Sequence, residues 1–168
     1  MVQGVSRKIH FFFDVLIIFL INLTKIHNFS LFSQTDCFYF TGDTASMDGE
    51  GYISIVGRSK DMINRGGENV YPSEIEAVLL QHENVMDAQV VGAEDSRLGE
   101  VVAVYLKVKN DEGDASIKEL KDHCEAQLSA FKVPKHWKIV EAYPQTLSGK
   151  VMKYVLREQA KTDFELRL

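Results

Sequence analysis

Apolar residues occur in short runs along the chain, and the spacing within each run predicts its secondary structure. The two longest valine-rich runs, VMDAQVVGA at 85–93 and EVVAVYLKV at 100–108, predict two strands joined by a polar turn. HWKIV at 136–140 predicts a third strand. Shorter runs at 51–58 and 61–64 predict two small strands, the first after a D-G-E-G turn and the second before a pair of glycines.

Three further segments have the features of helices. Pro72 stands at a first helical position and is followed by an apolar face of Ile75, Val78 and Leu79. Ser116, with Glu119 three residues later, is a capping box that predicts the start of a second helix. A third helix is predicted from Val151 to about Lys161. Because strands and helices alternate irregularly, the pattern predicts a small α+β domain with a central sheet of about three main strands and flanking helices.

The first forty residues are a different kind of sequence. Arg7 and Lys8 precede the apolar run FFFDVLIIFLINL at 11–23, an arrangement that resembles a secretory signal. The run is shorter than the roughly 20 residues of a spanning helix, contains Asp14, and is followed by no small-residue cleavage site. Residues 1–37 therefore stay unassigned. Three interpretations are open: an artefact of the gene model, a signal or anchor with membrane contact by 11–23, or a structured strand or helix.

Composition narrows the function classes. The formal net charge of −5 argues against a nucleic-acid-binding protein, because such proteins usually present a basic face. The two cysteines, Cys37 and Cys124, lack CxxC spacing, and the five histidines are scattered. Neither a disulfide framework nor a metal site is therefore predicted. Cys124 falls on the apolar stripe of the second predicted helix, with Ile117, Leu120 and Leu128, which indicates a core position.

Three polar clusters are candidates for chemistry. Thr41-Gly42-Asp43 predicts a small turn presenting one carboxylate, which can accept hydrogen bonds from two vicinal hydroxyls. GRSKDMINRGGENVYPSEIE at 57–76 combines charged residues with paired glycines that let backbone approach a ligand closely. YPQTLSGKVMK at 143–153 predicts a mobile loop ending at Lys150, whose ammonium can contact a phosphate or carboxylate. Each cluster alone is also typical of a turn, a solvated hairpin or a surface lysine.

Taken together and in this order, the three clusters resemble the adenylate-forming superfamily, which includes acyl-CoA synthetases, aryl-CoA ligases, luciferases and adenylation domains. The resemblance covers residues 38 to about 160. Two segments carry most of the similarity, GRSKDMINRGGENVYPSEIE and SGKVMKYVLRE, and their sequences are most similar to those of medium-chain fatty acyl-CoA ligases. It implies an AMP-forming acid–thiol ligase whose substrates are a fatty acid, ATP and coenzyme A. Such enzymes first form an acyl-AMP and then transfer the acyl group to the thiol of coenzyme A.

The resemblance also implies roles for individual residues. Asp43 matches the acid that binds the ribose hydroxyls, and Arg58 matches an arginine that contacts the nucleotide. Lys150 matches the catalytic lysine that reaches the acyl carboxylate and phosphate during adenylation. Lys60 matches the hinge about which the C-terminal domain rotates between the two half-reactions.

The same resemblance divides the chain. Residues 38–58 are expected to end a large N-terminal domain, and 59–168 to form a C-terminal lid domain with a two-stranded hairpin near the hinge. Gly66 and Gly67 fall in the loop that lines the coenzyme A tunnel. Some relatives carry a lysine at position 64, whereas this chain has Asn64, to which no role is assigned.

The family's phosphate loop and acyl pocket lie upstream of Thr41-Gly42-Asp43, and nothing in residues 1–37 resembles either. Mg²⁺ is implied as well, held by that missing part rather than by this chain. The leading expectation is therefore a partial ligase that is inactive alone. The alternative is a non-catalytic, stand-alone module that binds coenzyme A or a partner. A mitochondrial location is implied by the resemblance but is not supported by this N-terminus.

Overall fold

The computed structural model describes residues 13–16, 40–109 and 114–164. The chain divides into two compact units, an N-terminal unit Met1–Lys60 and a C-terminal unit Asp61–Leu168. The segment 1–37 that the sequence leaves unassigned lies outside the described residues except at 13–16.

The N-terminal unit contains an antiparallel sheet of three strands in chain order. These are β1 (Phe13–Leu16), β2 (Phe40–Met47) and β3 (Ile53–Arg58). The predicted D-G-E-G turn joins β2 to β3, and Asp48 closes it: its Oδ1 accepts from the amides of Glu50 (3.0 Å) and Tyr52 (2.9 Å). Asp side chains commonly stabilise such a turn by accepting hydrogen bonds from backbone amides of the residues that follow them in the chain.

The C-terminal unit is built on a five-stranded sheet. Its strands are β4 (Ile63–Arg65), β5 (Glu68–Val70), β6 (Val85–Asp95), β7 (Gly99–Val108) and β8 (His136–Ile139). The sheet order is β5-β4-β7-β6, and β8 runs parallel to β7 beside it. Three helices flank the sheet: α1 (Pro72–Leu79), α2 (Asp114–Gln127) and α3 (Lys153–Asp163). The predicted α+β fold, with a central sheet, flanking helices and a two-stranded hairpin near the hinge, is confirmed; the hairpin β4–β5 joins the central sheet through β7.

Strand β7 lies at the centre of the unit and is covered on both faces. Val102, Val104 and Leu106 face a cluster that includes buried residues of α1 and α2. Val101, Ala103 and Tyr105 face a second cluster with Leu156 and Ala160 of α3. Because both faces are buried, the strand is apolar along almost its whole length instead of alternating.

The capping-box prediction for α2 is wrong. The helix already includes Asp114, so Ser116 lies inside it. Ser116 is 3% exposed, and its Oγ accepts a hydrogen bond from Asn84 Nδ2 at 3.1 Å. Glu119 places Oε1 3.4 Å from Nε2 of His82. Ser116 and Glu119 therefore contact the segment after α1. These tertiary contacts, and not a helix cap, explain why the two residue types occur at this spacing.

Cys124 lies in the core, as predicted. It is completely buried in the cluster that also contains Leu120 of α2 and Leu79 of α1. Burial raises the pKa of the Cys124 thiol to about 11, so the thiol stays protonated and unreactive at neutral pH.

His136 is expected to make stability depend on pH. Its Nε2 is buried without a hydrogen-bond partner among the described residues, and its ring stacks on Phe164 with centroids 4.8 Å apart. Burial lowers the pKa of His136 below its usual value of 6.5, and the charge of Lys135 lowers it further. Below about pH 6.5 the His136 imidazole is therefore protonated in the unfolded chain more readily than in the folded chain. The free energy of unfolding decreases as the pH falls through this range.

Urea unfolding at pH 7.5 and pH 5.5 checks this expectation. The neutral variant His136→Gln should lose less stability between the two pH values than the unmodified chain. An equal loss in both proteins would show that other groups cause the pH dependence.

Candidate functional site

Asp43 and Arg58 are cross-strand partners in the N-terminal unit. They face each other in the pairing of β2 with β3, and Arg58 Nε lies 3.4 Å from Asp43 Oδ1. The Asp43 side chain is 22% exposed and that of Arg58 is 46% exposed, so solvent and ligands can reach both. Thr41-Gly42-Asp43 lies inside β2 and not in the turn predicted for it, because this pairing continues to Arg58. A guanidinium beside a carboxylate can orient it while keeping donors for a phosphate.

Lys60 lies in a short 3-10 helix, Ser59–Asp61, at the division between the two units. Asp61, the next residue, is the first residue of the C-terminal unit. The hinge role of Lys60 stays a prediction.

Gly66 and Gly67 form the turn of the β4–β5 hairpin. Arg65 pairs with Glu68 across them, and both glycines have positive φ, 61° and 95°. Two such residues are typical of a type I′ turn, which glycine adopts without strain. A Cβ on Gly66 would lie 3.0 Å from Cδ2 of Leu98, and the Gly66 amide donates to Leu98 O at 2.8 Å. The turn is thus held close to the β6–β7 connection, and its exposed backbone is available to a ligand.

Asn64 has a structural role that the sequence analysis missed. Its Oδ1 accepts a hydrogen bond from the Gly67 amide at 2.9 Å, which closes the hairpin turn from within. Asn and Asp side chains commonly stabilise turns by hydrogen-bonding to a backbone amide of the turn that follows them.

Glu100 was also missed, and it attaches the hairpin to the central sheet. Its Oε2 accepts from the Asn64 amide at 2.8 Å, next to the single backbone pair, Arg65 with Gly99, that joins β4 to β7. The carboxylate lies over Gly92, where a Cβ would come within 2.7 Å of Glu100 Oε1. A glycine inside a valine-rich strand was the signal for this close approach.

Lys150 lies at the end of a hydrogen-bonded turn. Gln145 and Val151 form an antiparallel bridge, and the Met152 amide donates to Pro144 O at 2.8 Å. Thr146 is at the centre of the turn: its O accepts from the Gly149 amide at 2.9 Å, and its Oγ1 accepts from the Lys150 amide at 3.1 Å. The segment predicted as a mobile loop therefore has a defined backbone, which presents Lys150 to solvent three residues before α3.

The charge of Lys150 is available to a ligand. Among the described residues, no carboxylate lies within ion-pair distance of its Nζ, although several lysines of the same unit are paired. Lys132 contacts Glu74 at 2.6 Å, for example. Leu147, in the same turn, is fully exposed and adds apolar surface beside the lysine. An exposed ammonium on a fixed turn is suited to binding an anionic group that another domain or a substrate presents.

Within the residues that the structure describes, no group of three or more His, Cys, Asp or Glu side chains could hold a metal ion. None of the helices in this part of the chain is both long and apolar enough to cross a membrane.

Comparison with known proteins decides the family. The model of the AMP-binding enzyme C-terminal domain matches residues 74–150 and ends on Lys150. The chain carries an AMP-binding enzyme C-terminal domain. The match includes α1, β6, β7, α2, β8 and the turn that presents Lys150, whereas Asp43, Arg58, Lys60, Gly66 and Gly67 precede it.

The relatives of this C-terminal domain are acyl-CoA ligases. The mitochondrial medium-chain acyl-CoA ligase ACSF2 of Mus musculus is 47% identical over 131 residues, which cover 78% of this chain and 21% of the relative. The putative acyl-CoA synthetase YngI of Bacillus subtilis is also 47% identical over 131 residues, which cover 78% of this chain and 24% of that protein. The chain thus spans about a fifth to a quarter of the length of these curated relatives.

A solved structure agrees with the family assignment. The fatty acyl CoA synthetase of Mycobacterium tuberculosis is 38% identical and superposes with a TM-score of 0.63, covering 76% of this chain and 25% of that one. The predicted resemblance to the adenylate-forming ligases and the predicted lid-domain fold are confirmed.

Proposed function

We propose that this chain supplies the C-terminal part of an AMP-forming ligase that joins a fatty acid to coenzyme A. The observation that carries the proposal is the turn at 144–151, which holds Lys150 exposed and without a carboxylate partner among the described residues. The turn lies at the end of the family match, in a chain whose relatives are named acyl-CoA ligases or synthetases.

Lys150 would act in the first half-reaction. A carboxylate oxygen of the fatty acid attacks the α-phosphorus of ATP, and pyrophosphate leaves to give an acyl-AMP. Negative charge grows on the α-phosphate oxygens as the new bond forms, and a positioned ammonium stabilises it. In the second half-reaction the thiol of coenzyme A loses its proton, its sulfur attacks the acyl carbon, and AMP leaves with the electron pair of the broken carbon–oxygen bond. Rotation at Lys60 would by then have carried Lys150 away from the phosphate. Lys150 is therefore needed mainly for adenylation.

The paired Asp43 and Arg58 would bind the nucleotide. The Asp43 carboxylate has the chemistry to accept both ribose hydroxyls, while Arg58 holds it in place and keeps donors for the phosphates. Lys60 would be the hinge, with residues 38–58 ending the large domain and 59–168 forming the mobile one. The division of the chain after Lys60 supports this boundary. So do the exposed apolar residues of the β2–β3 hairpin, which suit burial in a larger domain: Met47, Tyr52, Ile53 and Ile55.

The remaining assignments follow from the same proposal. Gly66 and Gly67 would line the path of coenzyme A, supported by the exposed hairpin turn that they form. A mitochondrial location is supported by the name of the Mus musculus relative. Mg²⁺ would be bound by the part of the ligase that precedes Thr41-Gly42-Asp43 in the family, together with the phosphates of ATP.

A hybrid ligase tests the proposed function. Residues 38–168 replace the matching segment of the Mus musculus ligase, to which the chain is 47% identical. This hybrid ligase should make acyl-CoA and AMP from a medium-chain fatty acid, ATP and coenzyme A. The 168-residue chain alone should show no acid-dependent exchange between ATP and pyrophosphate.

The control is the mouse enzyme cut and rejoined at the same points. A hybrid that is folded but makes no acyl-CoA, while the rejoined control is active, would contradict the proposal. Binding of coenzyme A by the chain alone, together with an inactive hybrid, would favour the non-catalytic module.

A further inference from the structure

Helix α3 begins three residues after Lys150, and two basic side chains fix one of its faces. Lys153 and Arg157 are four residues apart, a spacing that places them on the same side of a helix. Lys153 Nζ lies 2.6 Å from Glu76 Oε1, and Arg157 Nη2 lies 3.1 Å from Asp61 Oδ1. The side chains of these two pairs are only 18–29% exposed, in contrast to typical surface ion pairs.

The first contact ties the start of α3 to the sheet. Glu76 of α1 accepts a hydrogen bond from the Val90 amide at 2.8 Å with the same Oε1 that contacts Lys153. Val90 lies on β6, which is at the edge of the sheet among the strands that the structure describes, so Glu76 accepts a hydrogen bond from an edge amide that none of these strands pairs. Lys153 is therefore attached through one carboxylate to the backbone of the central sheet.

The second contact ties α3 to the start of the unit. Asp61 is the first residue of the C-terminal unit and directly follows Lys60. Arg157 is thus bonded to the segment that would change direction if the chain rotated at Lys60. Farther along α3, Lys161 contacts Glu94 and Glu158 at 3.2 Å, but those carboxylates are about half exposed or more and have no link to Asp61.

We propose that Lys153 and Arg157 are positioning residues, which hold the Lys150 turn at a fixed orientation relative to Asp61 and the central sheet. The inference rests on the proposed function where it concerns catalysis and rotation at Lys60, whereas the positioning of the turn by the two contacts does not. Movement at residues 60–61 is passed through Asp61 to Arg157 and α3, so that Lys150 moves with the unit as one rigid body. Without the two contacts, the polar contacts that remain between α3 and the sheet, among the described residues, lie at the centre and C-terminal end of the helix, such as Lys161 with Glu94 and Tyr105 with Asp163, and the turn before its first residue gains freedom.

Hydrogen exchange of the 168-residue chain, followed by NMR, tests the positioning. The Gly149, Lys150 and Met152 amides are bonded within the turn, so their exchange measures its local opening. Arg157→Ala and Lys153→Ala should each speed their exchange about tenfold, as expected for losing a charged hydrogen bond. Lys161→Ala, the matched control on the same helix, should leave these rates within about twofold. Arg157→Lys should restore most of the protection.

Amides of β7 separate positioning from general stability. They should keep their wild-type exchange rates in every variant, since the effect is local to the turn. An equal rise of exchange in the turn and in β7 would overturn the inference in favour of a merely structural role. Turn exchange in Arg157→Ala and Lys153→Ala that matches Lys161→Ala would overturn it as well.

The hybrid ligase provides the catalytic readout. Arg157→Ala should lower kcat for acyl-adenylate formation about tenfold and leave KM for ATP nearly unchanged, because misplacing a catalytic group affects the transition state more than ground-state binding. Unchanged kcat, in an active hybrid with faster turn exchange, would overturn the link to catalysis. An inactive hybrid with Arg157 intact would instead overturn the proposed function, while the exchange result still decides the positioning.

Discussion

Replacing Lys150 by alanine in the hybrid ligase is expected to slow acyl-adenylate formation by about 10²–10³-fold, the usual effect of removing one donor to a developing oxyanion. The turn that presents Lys150 is held by Thr146 and by the bridge from Gln145 to Val151, none of which uses the lysine side chain. The variant should therefore fold normally. Single-turnover formation of acyl-AMP from acid and ATP measures the effect.

The second half-reaction separates this role from a general defect. Transfer of the acyl group from supplied acyl-AMP to coenzyme A should change by less than about tenfold in Lys150→Ala, because rotation at Lys60 would have moved Lys150 away from the reacting groups in that step. Lys161→Ala removes an exposed lysine from the same unit and should leave both rates near those of the parent hybrid. If Lys150→Ala impaired both half-reactions equally, the assignment of Lys150 to adenylation would be wrong.

The largest expected effect on stability is that of Leu79→Ala in the 168-residue chain. Leu79 of α1 is fully buried against the central sheet, in a cluster with Ile63, Val70 and Leu120. Truncating such a leucine removes its contacts and leaves a cavity, which costs about 2–5 kcal/mol of unfolding free energy. Urea denaturation measures the change.

The neighbouring residue is a matched control. Leu80 has the same side chain, lies directly after Leu79 and is 51% exposed. Leu80→Ala should change the free energy of unfolding by less than about 1 kcal/mol. Similar losses in the two variants would contradict the packing described for α1.

The fold was predictable because its strands are buried on one or both faces. The valine-rich runs correspond to β6 and β7, whose long antiparallel pairing forms most of the sheet. Pro72 does begin α1, because proline fits a first helical position where no amide partner is needed. The start of α2 was predicted wrongly because Ser116 and Glu119 have the residue types of a capping box but bind Asn84 and His82. Sequence spacing cannot distinguish a local partner from a distant one.

The candidate site was predictable in its residues but not in its contacts. The order of the motifs was enough to identify Asp43, Arg58 and Lys150 as candidate site residues. Their contacts with neighbouring residues are known only from the structure. The contact of Asp43 with Arg58 depends on the register of β2 with β3, and a shift by one residue would point a side chain to the other face. The contacts of Asn64 and Glu100 were not predicted, because each side chain bonds to a backbone amide, and residue types alone do not reveal such an interaction.

We propose that one mobile unit serves both half-reactions by turning about Lys60, and the variant Lys60→Pro in the hybrid ligase tests this hinge. Proline fixes φ near −65° and restricts the residue before it, so it limits rotation at this point, whereas Lys60→Ala leaves the torsions free. Single-turnover rates of acyl-AMP formation and of acyl transfer to coenzyme A are measured for both variants. We expect Lys60→Pro to keep one rate close to that of the parent hybrid and to lower the other about 10²-fold or more, while Lys60→Ala keeps both rates. If Lys60→Pro kept both rates at the values of the parent hybrid, or lowered both equally, the hinge role of Lys60 would be contradicted.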